Sequence, residues 1–289
     1  MPLILDGKKA AATIRARLRK QIASLTEKPV LAIIQVGERE ESTAYIERKK
    51  AFGKSVGAFV RHIQLPESVS EAEVIRQIDV LNADGGVCGI IVQLPLPAHF
   101  DRTKIQNVVA PKKDIDGLGA GSQFTPATAR GIVELLEFYQ IPIRGRRIAV
   151  LGRSALVGTP TAEALRNAGA EVAVCHSETP NTKEITRGSD MVVVAIGKPR
   201  LIGAEYFRSD ETQTVVDVGI TAVTEKGEER LEEELPRRTL VGDVDFGAVK
   251  NMVAAISPVP GGVGPMTVAS LFENLVSAYE KQTSLSRLS

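Results

Sequence analysis

Apolar residues along this chain follow two different spacings, which together predict alternating helices and strands. Ile14, Leu18, Ile22 and Leu25 recur at the spacing of one helical face, which predicts an amphipathic helix over roughly residues 7–26. Continuous apolar runs such as V-L-A-I-I-Q-V are typical of strands that a parallel sheet buries on both faces. The repeated alternation of the two patterns predicts an α/β fold with parallel sheets.

The same criteria place the remaining predicted elements. Further helices are predicted over residues 42–57, 70–83, 125–139, 158–167 and 266–281. Strands are predicted over residues 30–36, 59–65, 89–94, 147–151, 171–175, 191–196 and 214–218.

A glycine-rich stretch, G-L-G-A-G-S at residues 117–122, is the most linker-like part of the chain and predicts a domain boundary. The 289 residues suffice for two medium-sized domains, each with a buried core. We therefore predict a first domain over residues 1–120, completed by a C-terminal helix at 266–289, and a second domain over residues 121–265.

The charge balance and the scarcity of metal-ligating residues exclude several classes of function. The chain has 36 Lys and Arg against 35 Asp and Glu, a net charge of +1, so we expect no nucleic-acid or membrane partner. Two cysteines and three widely spaced histidines cannot form a disulfide framework or a cysteine-rich zinc site, and we predict no metal site. The longest uncharged stretch, residues 251–272, contains helix-breaking prolines, and no leader pattern is seen. A cytoplasmic location is therefore expected, with an organelle matrix as the alternative if a transit peptide has been removed.

A glycine turn in the second half indicates a dinucleotide site. Gly152 follows the predicted strand 147–151, and Gly158 opens the predicted helix 158–167. Backbone N–H groups at such a helix start can meet a pyrophosphate where no side chain intrudes. The spacing is G-x5-G instead of the usual G-x-G-x-x-G, so a plain turn between strand and helix is the alternative.

The end of the next strand bears on the type of cofactor. NAD sites usually place Asp or Glu there to bind the ribose 2′-hydroxyl, whereas this strand ends in C-H-S. Arg153 in the glycine turn can bind a 2′-phosphate, while Glu178 would repel one. We expect NADP in preference to NAD.

A group of polar residues in the first half is the candidate for chemistry. Tyr45 and Lys49 are four residues apart and share one helix face, although a solvated surface is the ordinary interpretation of such a charged helix. Gln93 lies at the carboxyl end of a buried strand, where open α/β sheets bind ligands, or it simply caps that strand. Asp114 and Asp116 precede the predicted hinge, where a cleft between domains would bind ligands; turn or N-cap roles are the alternative.

Seven segments in order resemble the bifunctional methylenetetrahydrofolate dehydrogenase/cyclohydrolases along nearly the whole chain. The segments are S-T-A-Y-I-E-R-K at 42–49, V-Q-L-P-L-P at 92–97, K-D-I-D-G at 113–117, G-R-S-A-L-V-G-T-P at 152–160, C-H-S-E-T at 175–179, V-D-V-G-I at 216–220 and P-V-P-G-G-V-G-P-M-T at 258–267. The resemblance implies a homodimer of two-domain α/β subunits, with an N-terminal folate-binding catalytic domain and an NAD(P)-binding Rossmann domain separated by a cleft.

The resemblance also implies an activity in one-carbon metabolism and purine biosynthesis. Such enzymes oxidise 5,10-methylenetetrahydrofolate to 5,10-methenyltetrahydrofolate and then hydrolyse it to 10-formyltetrahydrofolate. The implied catalytic residues are Lys49, Gln93 and Asp116. The implied tetrahydrofolate contacts are these three with Tyr45, Val92, Leu94, Pro260, Gly261, Gly262, Val263 and Gly264. The implied cofactor contacts are Gly152, Arg153, Ser154, Ser177 and Ile220.

One motif departs from the family pattern, and three other interpretations stay open. The family usually has P-C-T-P-x-G after the hinge, whereas Ala127 and Ala129 replace its Cys and second Pro here. We therefore expect the packing near the cofactor to differ from that of the family. A short-chain dehydrogenase using Tyr45 and Lys49 is one alternative, although that pair normally follows the glycine turn. The others are a non-catalytic NAD(P)-binding module and a monofunctional member of the same family.

Overall fold

The structure, a computed structural model, describes residues 1–224 and 238–286. Its strands are β1 Leu3–Ile4, β2 Val30–Val36, β3 Phe59–Leu65, β4 Gly89–Val92, β5 Arg147–Leu151, β6 Glu171–Cys175, β7 Met191–Val194, β8 Thr214–Asp217, β9 Thr221–Thr224, β10 Arg238–Val241 and β11 Ala255–Ile256. Its α-helices are α1 Gly7–Ala23, α2 Glu40–Val56, α3 Glu71–Ala83, α4 Arg102–Val108, α5 Ala127–Phe138, α6 Gly158–Asn167, α7 Thr182–Gly188, α8 Phe246–Val249 and α9 Val263–Ser286.

The chain divides into two compact units, which we name by their main sheets. The three-strand unit comprises Ala11–Ala127 and Thr267–Ser289, and the six-strand unit comprises Met1–Ala10 and Thr128–Met266. Of these, residues 225–237, within the predicted second domain, and 287–289, at the end of the predicted C-terminal helix, lie outside the described residues.

The three-strand unit is a parallel sheet in the order β3-β2-β4. Its central strand β2 is buried along almost its whole length, which explains why its sequence is apolar without alternation. Helices α2 and α9 meet in this unit, where the ring centroids of Phe52 and Phe272 are 5.1 Å apart. The buried core includes Ala32, Ile34, Val36, Val74, Ile78, Leu81, Val87, Ile90, Val92, Phe100, Ile105 and Val109.

The six-strand unit is a parallel sheet in the order β1-β11-β8-β7-β5-β6. The strand β5 lies between β6 on one side and β7 on the other, so the chain changes direction across the sheet at β5. In open α/β sheets, ligands bind outside the carboxyl ends of the strands at such a switch point. The short strands β9 and β10 pair with each other in antiparallel orientation and form a separate two-stranded ribbon.

The sequence patterns located several elements to the residue. Strands β2, β3, β5 and β6 and helix α6 begin and end where the apolar patterns predict. Helices α4, α7 and α8 and the short strands β1, β9, β10 and β11 were not predicted, because two to seven residues carry too little periodicity.

The domain limits differ from the prediction at the N-terminus and at the linker. Residues 1–10 belong to the six-strand unit because β1 pairs with β11 and the N–H of Gly7 donates to Gly261 O at 2.9 Å. The predicted linker 117–122 is a folded loop of the three-strand unit, since the carboxylate of Asp114 accepts N–H groups from Gly117 and Gly119. The division falls after Ala127 instead of near residue 120.

Neither a membrane-spanning helix nor a cluster of metal ligands is found among the described residues. None of the described helices is long and apolar enough to cross a membrane. No group of three or more His, Cys, Asp or Glu residues in the described parts of the chain could hold a metal ion.

Candidate active site

A buried lysine and a glutamine form the centre of the candidate site in the three-strand unit. Lys49 lies on the face of α2 that also buries Ile46 and Phe52, so its side chain is directed away from solvent. Gln93 immediately follows β4, and its N–H donates to Ile34 O at 2.8 Å, which continues the ladder of the sheet. The Nζ atom of Lys49 donates to Oε1 of Gln93 at 2.9 Å, and both side chains are buried.

Tyr45 and Asp116 adjoin this pair. The Nζ atom of Lys49 lies 5.7 Å from the centroid of the Tyr45 ring, as expected for side chains four residues apart on one helix. Asp116 is half-buried, and its carboxylate is close enough to Lys49 for the two charges to interact. The structure therefore brings together four of the residues that the sequence analysis selected in this half of the chain: Tyr45, Lys49, Gln93 and Asp116.

Burial changes the proton affinity of the two ionisable groups that face each other here. Desolvation lowers the pKa of Lys49, and the negative charge of Asp116 opposes this shift without cancelling it. Desolvation raises the pKa of Asp116, against the charge of Lys49. A lysine with a lowered pKa can exist as a neutral amine and accept a proton near neutral pH.

The remaining residues of the K-D-I-D-G segment have structural contacts. Lys113 is buried and donates from Nζ to Leu81 O at 2.9 Å and Asp84 O at 2.7 Å. Asp114 organises the following loop through its hydrogen bonds to Gly117 and Gly119. Asp114 therefore has the turn role that the sequence analysis gave as its alternative, which leaves Asp116 as the carboxylate available to a ligand.

Two neighbours of Gln93 were also expected to contact substrate. Val92 is buried in the hydrophobic core of the three-strand unit, so its side chain packs against other apolar side chains. Leu94 is half-buried, and its carbonyl oxygen accepts a hydrogen bond from Nε2 of Gln93 at 2.7 Å. The Leu94 carbonyl thus fixes the amide orientation in which Oε1 of Gln93 faces Lys49.

The glycine turn of the six-strand unit has the form that a dinucleotide requires. Gly152 follows β5 with φ of +115°, and a Cβ atom there would lie 2.2 Å from Ala195 O. A Cβ atom on Gly158 would lie 2.2 Å from Gly152 O, so both positions exclude larger residues. The N–H groups of Val157 and Gly158 each donate to Oγ of Ser154 at 3.2 Å. Since a hydroxyl has one proton of its own, Ser154 can still donate to an anion at this helix start.

The residues expected at the 2′ position of the ribose are exposed at the ends of β5 and β6. Nη2 of Arg153 and Oε2 of Glu178 are 3.6 Å apart, and both side chains are mainly exposed. Nδ1 of His176 lies 3.9 Å from the same oxygen of Glu178, and Ser177 is exposed between them. Arg153 and Glu178, whose charges argue in opposite directions for the cofactor, therefore form an ion pair with each other.

The loop expected to close over the folate lies in the six-strand unit. Gly261 accepts a hydrogen bond from the N–H of Gly7, and Gly262 donates to Pro258 O at 2.8 Å. The exposed Ile220 lies beside this loop, because its Cδ1 atom is 3.4 Å from where a Cβ atom of Gly264 would be. Pro260 is exposed, whereas Gly262 and Val263 are buried. The structure thus groups residues 260–264 with one of the expected cofactor contacts.

Comparison with known proteins identifies the family. The model of the tetrahydrofolate dehydrogenase/cyclohydrolase catalytic domain matches residues 5–116, and the model of the NAD(P)-binding domain of the same enzymes matches residues 126–283. The chain belongs to the tetrahydrofolate dehydrogenase/cyclohydrolase family. The two-domain α/β fold predicted from the sequence is confirmed by these matches, and the short-chain dehydrogenase alternative is not favoured.

Relatives of this tetrahydrofolate dehydrogenase/cyclohydrolase match over nearly the full length. The bifunctional protein FolD of Exiguobacterium sibiricum is 39% identical over 290 residues, which cover 96% of this chain and 99% of that protein. The crystal structure of the Campylobacter jejuni bifunctional FolD has a TM-score of 0.87 at 35% identity and covers 97% of this chain and 99% of its own. The Trypanosoma brucei FolD, solved with NADP cofactor and inhibitor, has a TM-score of 0.88 at 33% identity, covering 98% of both chains.

Two aspartates that the sequence analysis did not select also lie near the carboxyl ends of strands in this family member. Asp217 is the last residue of β8, and Asp243 follows β10 closely; both are buried. A carboxylate at the end of the apolar run T-V-V-D was the available signal, because burying an acid is costly unless it is hydrogen-bonded.

Proposed function

We propose that this protein oxidises 5,10-methylenetetrahydrofolate to 5,10-methenyltetrahydrofolate with NADP and then hydrolyses the product to 10-formyltetrahydrofolate. The observation that carries the proposal is the buried hydrogen bond between Nζ of Lys49 and Oε1 of Gln93, beside Tyr45 and Asp116. A lysine that could extend into water is instead desolvated next to an aromatic ring and a carboxylate. That arrangement suits a flat, cationic substrate better than it suits structural packing.

The oxidation step needs positioning more than proton transfer. When bound, NADP would supply the hydride acceptor for this step, and Gly152, Arg153 and Ser154 are the residues that would hold it. The protein's contribution is to hold the two reactants in a reactive geometry, which can supply much of the rate enhancement. We assign Asp116 to the amino-pyrimidine edge of the pterin, where a carboxylate can accept two parallel hydrogen bonds, and Tyr45 to stacking against the ring system.

The hydrolysis step needs a group that moves protons, and Lys49 is the group we assign. A neutral Lys49 amine can accept a proton from the water that attacks the methenyl carbon, and it can return that proton to the ring nitrogen as the C–N bond breaks. The hydroxyl of the water adduct loses its own proton to solvent in that step and becomes the formyl oxygen. Gln93 orients Nζ without adding a charge that would raise the pKa of the lysine. The retention of both Lys49 and the glycine turn favours the bifunctional enzyme over a monofunctional one.

NADP is preferred to NAD in this proposal because Arg153 is the only cation in the glycine turn 152–158. In addition, β6 ends in Cys175 and is followed by His-Ser, so no acid stands at the strand end. The closely similar Trypanosoma brucei enzyme was solved with NADP. Arg153 would pair with the 2′-phosphate, and Gly152 and Ser154 would meet the pyrophosphate with Ile220 beside the nicotinamide. We further propose that the protein is a cytoplasmic homodimer that acts in one-carbon metabolism and purine biosynthesis.

A coupled absorbance assay tests both activities. Purified protein is given methylenetetrahydrofolate with NADP or with NAD, and methenyl product is followed as it forms and then decays. We expect formation to be faster with NADP and decay to follow in the same cuvette. Absence of turnover with either nucleotide would contradict the proposed enzyme.

The variant Lys49→Met separates the two steps. We expect hydrolysis of added methenyltetrahydrofolate to fall by at least about 100-fold, the usual contribution of a positioned acid–base group, while part of the dehydrogenase activity remains. Lys50→Met is the matched control, because Lys50 lies on the same helix but pairs with Glu47 instead of Gln93. Full hydrolysis by Lys49→Met would remove Lys49 from the mechanism.

A further inference from the structure

Two buried aspartates of the six-strand unit have no part in the mechanism above. Both Asp217 and Asp243 are almost completely buried, and in the described parts of the chain neither forms an ion pair with a Lys, Arg or His. Each carboxylate instead accepts hydrogen bonds from backbone N–H groups of the loops that follow β7, β8 and β10, of which β7 and β8 end at the carboxyl edge of the parallel sheet. This is the edge at which α/β sheets of this type bind dinucleotides.

Asp243 holds the loop that follows β7. Its Oδ2 atom accepts hydrogen bonds from the N–H groups of Ile196 at 2.7 Å and Gly197 at 2.8 Å. The preceding residue, Ala195, has its carbonyl oxygen 2.2 Å from where a Cβ atom of Gly152 would be. The loop that Asp243 holds is therefore in direct contact with the glycine turn.

Asp217 holds the loop that follows β8 and also holds Asp243. Its Oδ1 atom accepts N–H groups from Gly219 and Asp243, each at 3.0 Å, and its Oδ2 atom accepts the N–H of Val244 at 2.9 Å. Gly219 immediately precedes Ile220, the residue we assign to the nicotinamide end of the cofactor. The two aspartates thus join the loops that follow β7, β8 and β10.

The second carboxylate oxygen of Asp243 argues against a purely structural role. Its Oδ1 atom is buried, and no described group donates a hydrogen bond to it. A buried acceptor without a donor lowers stability, so an asparagine or a smaller polar residue would serve the fold at least as well. Gly219 is also required at this contact, because a Cβ atom there would lie 2.2 Å from that same oxygen.

We propose that Asp243, supported by Asp217, is a positioning residue for the dehydrogenase step. Its carboxylate sets the glycine turn and Ile220 at the separation that the dinucleotide requires. This inference rests on the proposed function, since it presupposes that the six-strand unit uses NADP in the oxidation. It adds two residues to the cofactor site that touch the protein backbone instead of the cofactor.

The test compares two activities of the same protein. Asp243→Ala removes both loop contacts, and Asp243→Asn keeps an oxygen that can accept the same two N–H groups. Asp190→Ala is the matched control, since Asp190 accepts the N–H of Arg147 at 2.9 Å at the opposite, amino end of the same sheet. The measurements are the KM for NADP in the oxidation, NADPH binding by fluorescence titration, and hydrolysis of added methenyltetrahydrofolate.

We expect Asp243→Ala to raise the KM for NADP and to weaken NADPH binding by at least about tenfold, because a displaced glycine turn would lose a hydrogen bond to the charged pyrophosphate, and such a loss weakens binding by about that factor. Hydrolysis should stay within about twofold of the unaltered protein, because the residues assigned to proton transfer, Lys49 and Gln93, lie in the three-strand unit. Asp243→Asn should recover most of the NADP affinity, and Asp190→Ala should leave the KM unchanged.

Several results would overturn the inference. An unchanged KM in Asp243→Ala, an equal loss of both activities, or an equal rise of KM in Asp190→Ala would each show that the carboxylate does not position the cofactor loops. If Asp243→Ala does not fold, Asp217→Asn carries the same test: one oxygen acceptor of the segment 243–244 becomes an amide nitrogen, and a KM for NADP equal to that of the unaltered protein contradicts the inference. Absence of oxidation in the unaltered protein would instead overturn the proposed function itself.

Discussion

Lys49 and Lys113 show at the scale of single residues how surroundings decide the role of a buried lysine. The Nζ atom of Lys113 donates to two backbone carbonyl oxygens, and this arrangement ties two loops together. The Nζ atom of Lys49 donates to the side-chain amide of Gln93, beside an aromatic ring and a half-buried carboxylate. Burial lowers the pKa of both, yet only Lys49 adjoins groups that can hold a substrate.

Glu178 offers a residue-scale prediction about cofactor choice. In Glu178→Gln, Arg153 loses its carboxylate partner and becomes fully available to a 2′-phosphate, while the repulsion of that phosphate disappears. We expect the KM for NADP to fall about threefold to fivefold, because two charges about 4 Å apart in water interact by about 1 kcal/mol. The KM for NAD, which lacks the phosphate, should change little.

The control for this prediction is Glu184→Gln, which removes the same charge from an exposed position in the first turn of α7. Steady-state kinetics with both nucleotides at several salt concentrations provides the measurement. The difference between the nucleotides should shrink as salt increases, since exposed charges are screened. An equal improvement with NAD would contradict the assignment of Arg153 to the 2′-phosphate.

At the scale of elements, the β5 turn and α6 form a unit whose shape depends on the absence of side chains. Gly152 has φ of +115° and meets the loop after β7, while Gly158 meets the carbonyl of Gly152 itself. Ser154 satisfies two N–H groups at the start of α6 through its hydroxyl. This explains why a G-x5-G spacing can serve in place of the commoner glycine pattern.

Gly152→Ala should distort this turn and impair the oxidation. The added methyl group would meet Ala195 O, and the backbone conformation is one that residues with a Cβ atom rarely adopt, which costs about 1–3 kcal/mol. We expect a lower melting temperature together with an increase of at least about tenfold in the KM for NADP, because the turn moves relative to the cofactor. Differential scanning calorimetry and steady-state kinetics measure the two effects.

Gly145→Ala separates backbone strain from steric conflict. Gly145 also has positive φ, +72°, but a Cβ atom there would meet nothing within 4 Å. It should lower stability without changing the KM for NADP. If both variants change the KM alike, the contact between Gly152 and the β7 loop has no special part in cofactor binding.

At the scale of the whole molecule, the aspartate pair predicts a pH dependence of stability. Burial raises the pKa of Asp217 to about 7 from an ordinary value of 3.8, and the neighbouring Asp243 adds to the shift. A pKa raised by folding means that the folded state binds the proton more tightly than the unfolded state. This stabilisation is therefore present below about pH 4 and is lost as the pH rises to about 7.

Asp217→Asn removes this titration and gives the measurement. The amide cannot ionise. Its nitrogen would face the N–H of Val244, which lowers the stability of the variant by an amount that does not change with pH. We expect the unaltered protein to lose stability relative to the variant between about pH 4 and pH 7, as urea midpoints would show. A constant difference between the two midpoints would mean that Asp217 keeps an ordinary pKa.

Much of the fold and part of the candidate site could be predicted from local patterns. The apolar runs located β2 and β5 to the residue, since a central parallel strand is buried on both faces wherever it occurs. The spacing of Tyr45 and Lys49 placed both on one helix face. Short elements such as β1 and β11 carry no such pattern, because their pairing depends on residues about 250 positions apart.

The sequence by itself determined the α/β class, the glycine turn and the family, because these follow from local periodicity and from motifs with fixed internal spacing. Only the tertiary structure decided that residues 1–10 join the six-strand unit, that Asp114 shapes a loop, and that Arg153 pairs with Glu178. It also decided that Asp217 and Asp243 meet. Contacts between distant parts of a chain arise from how strands are ordered in a sheet, and no local pattern records that order.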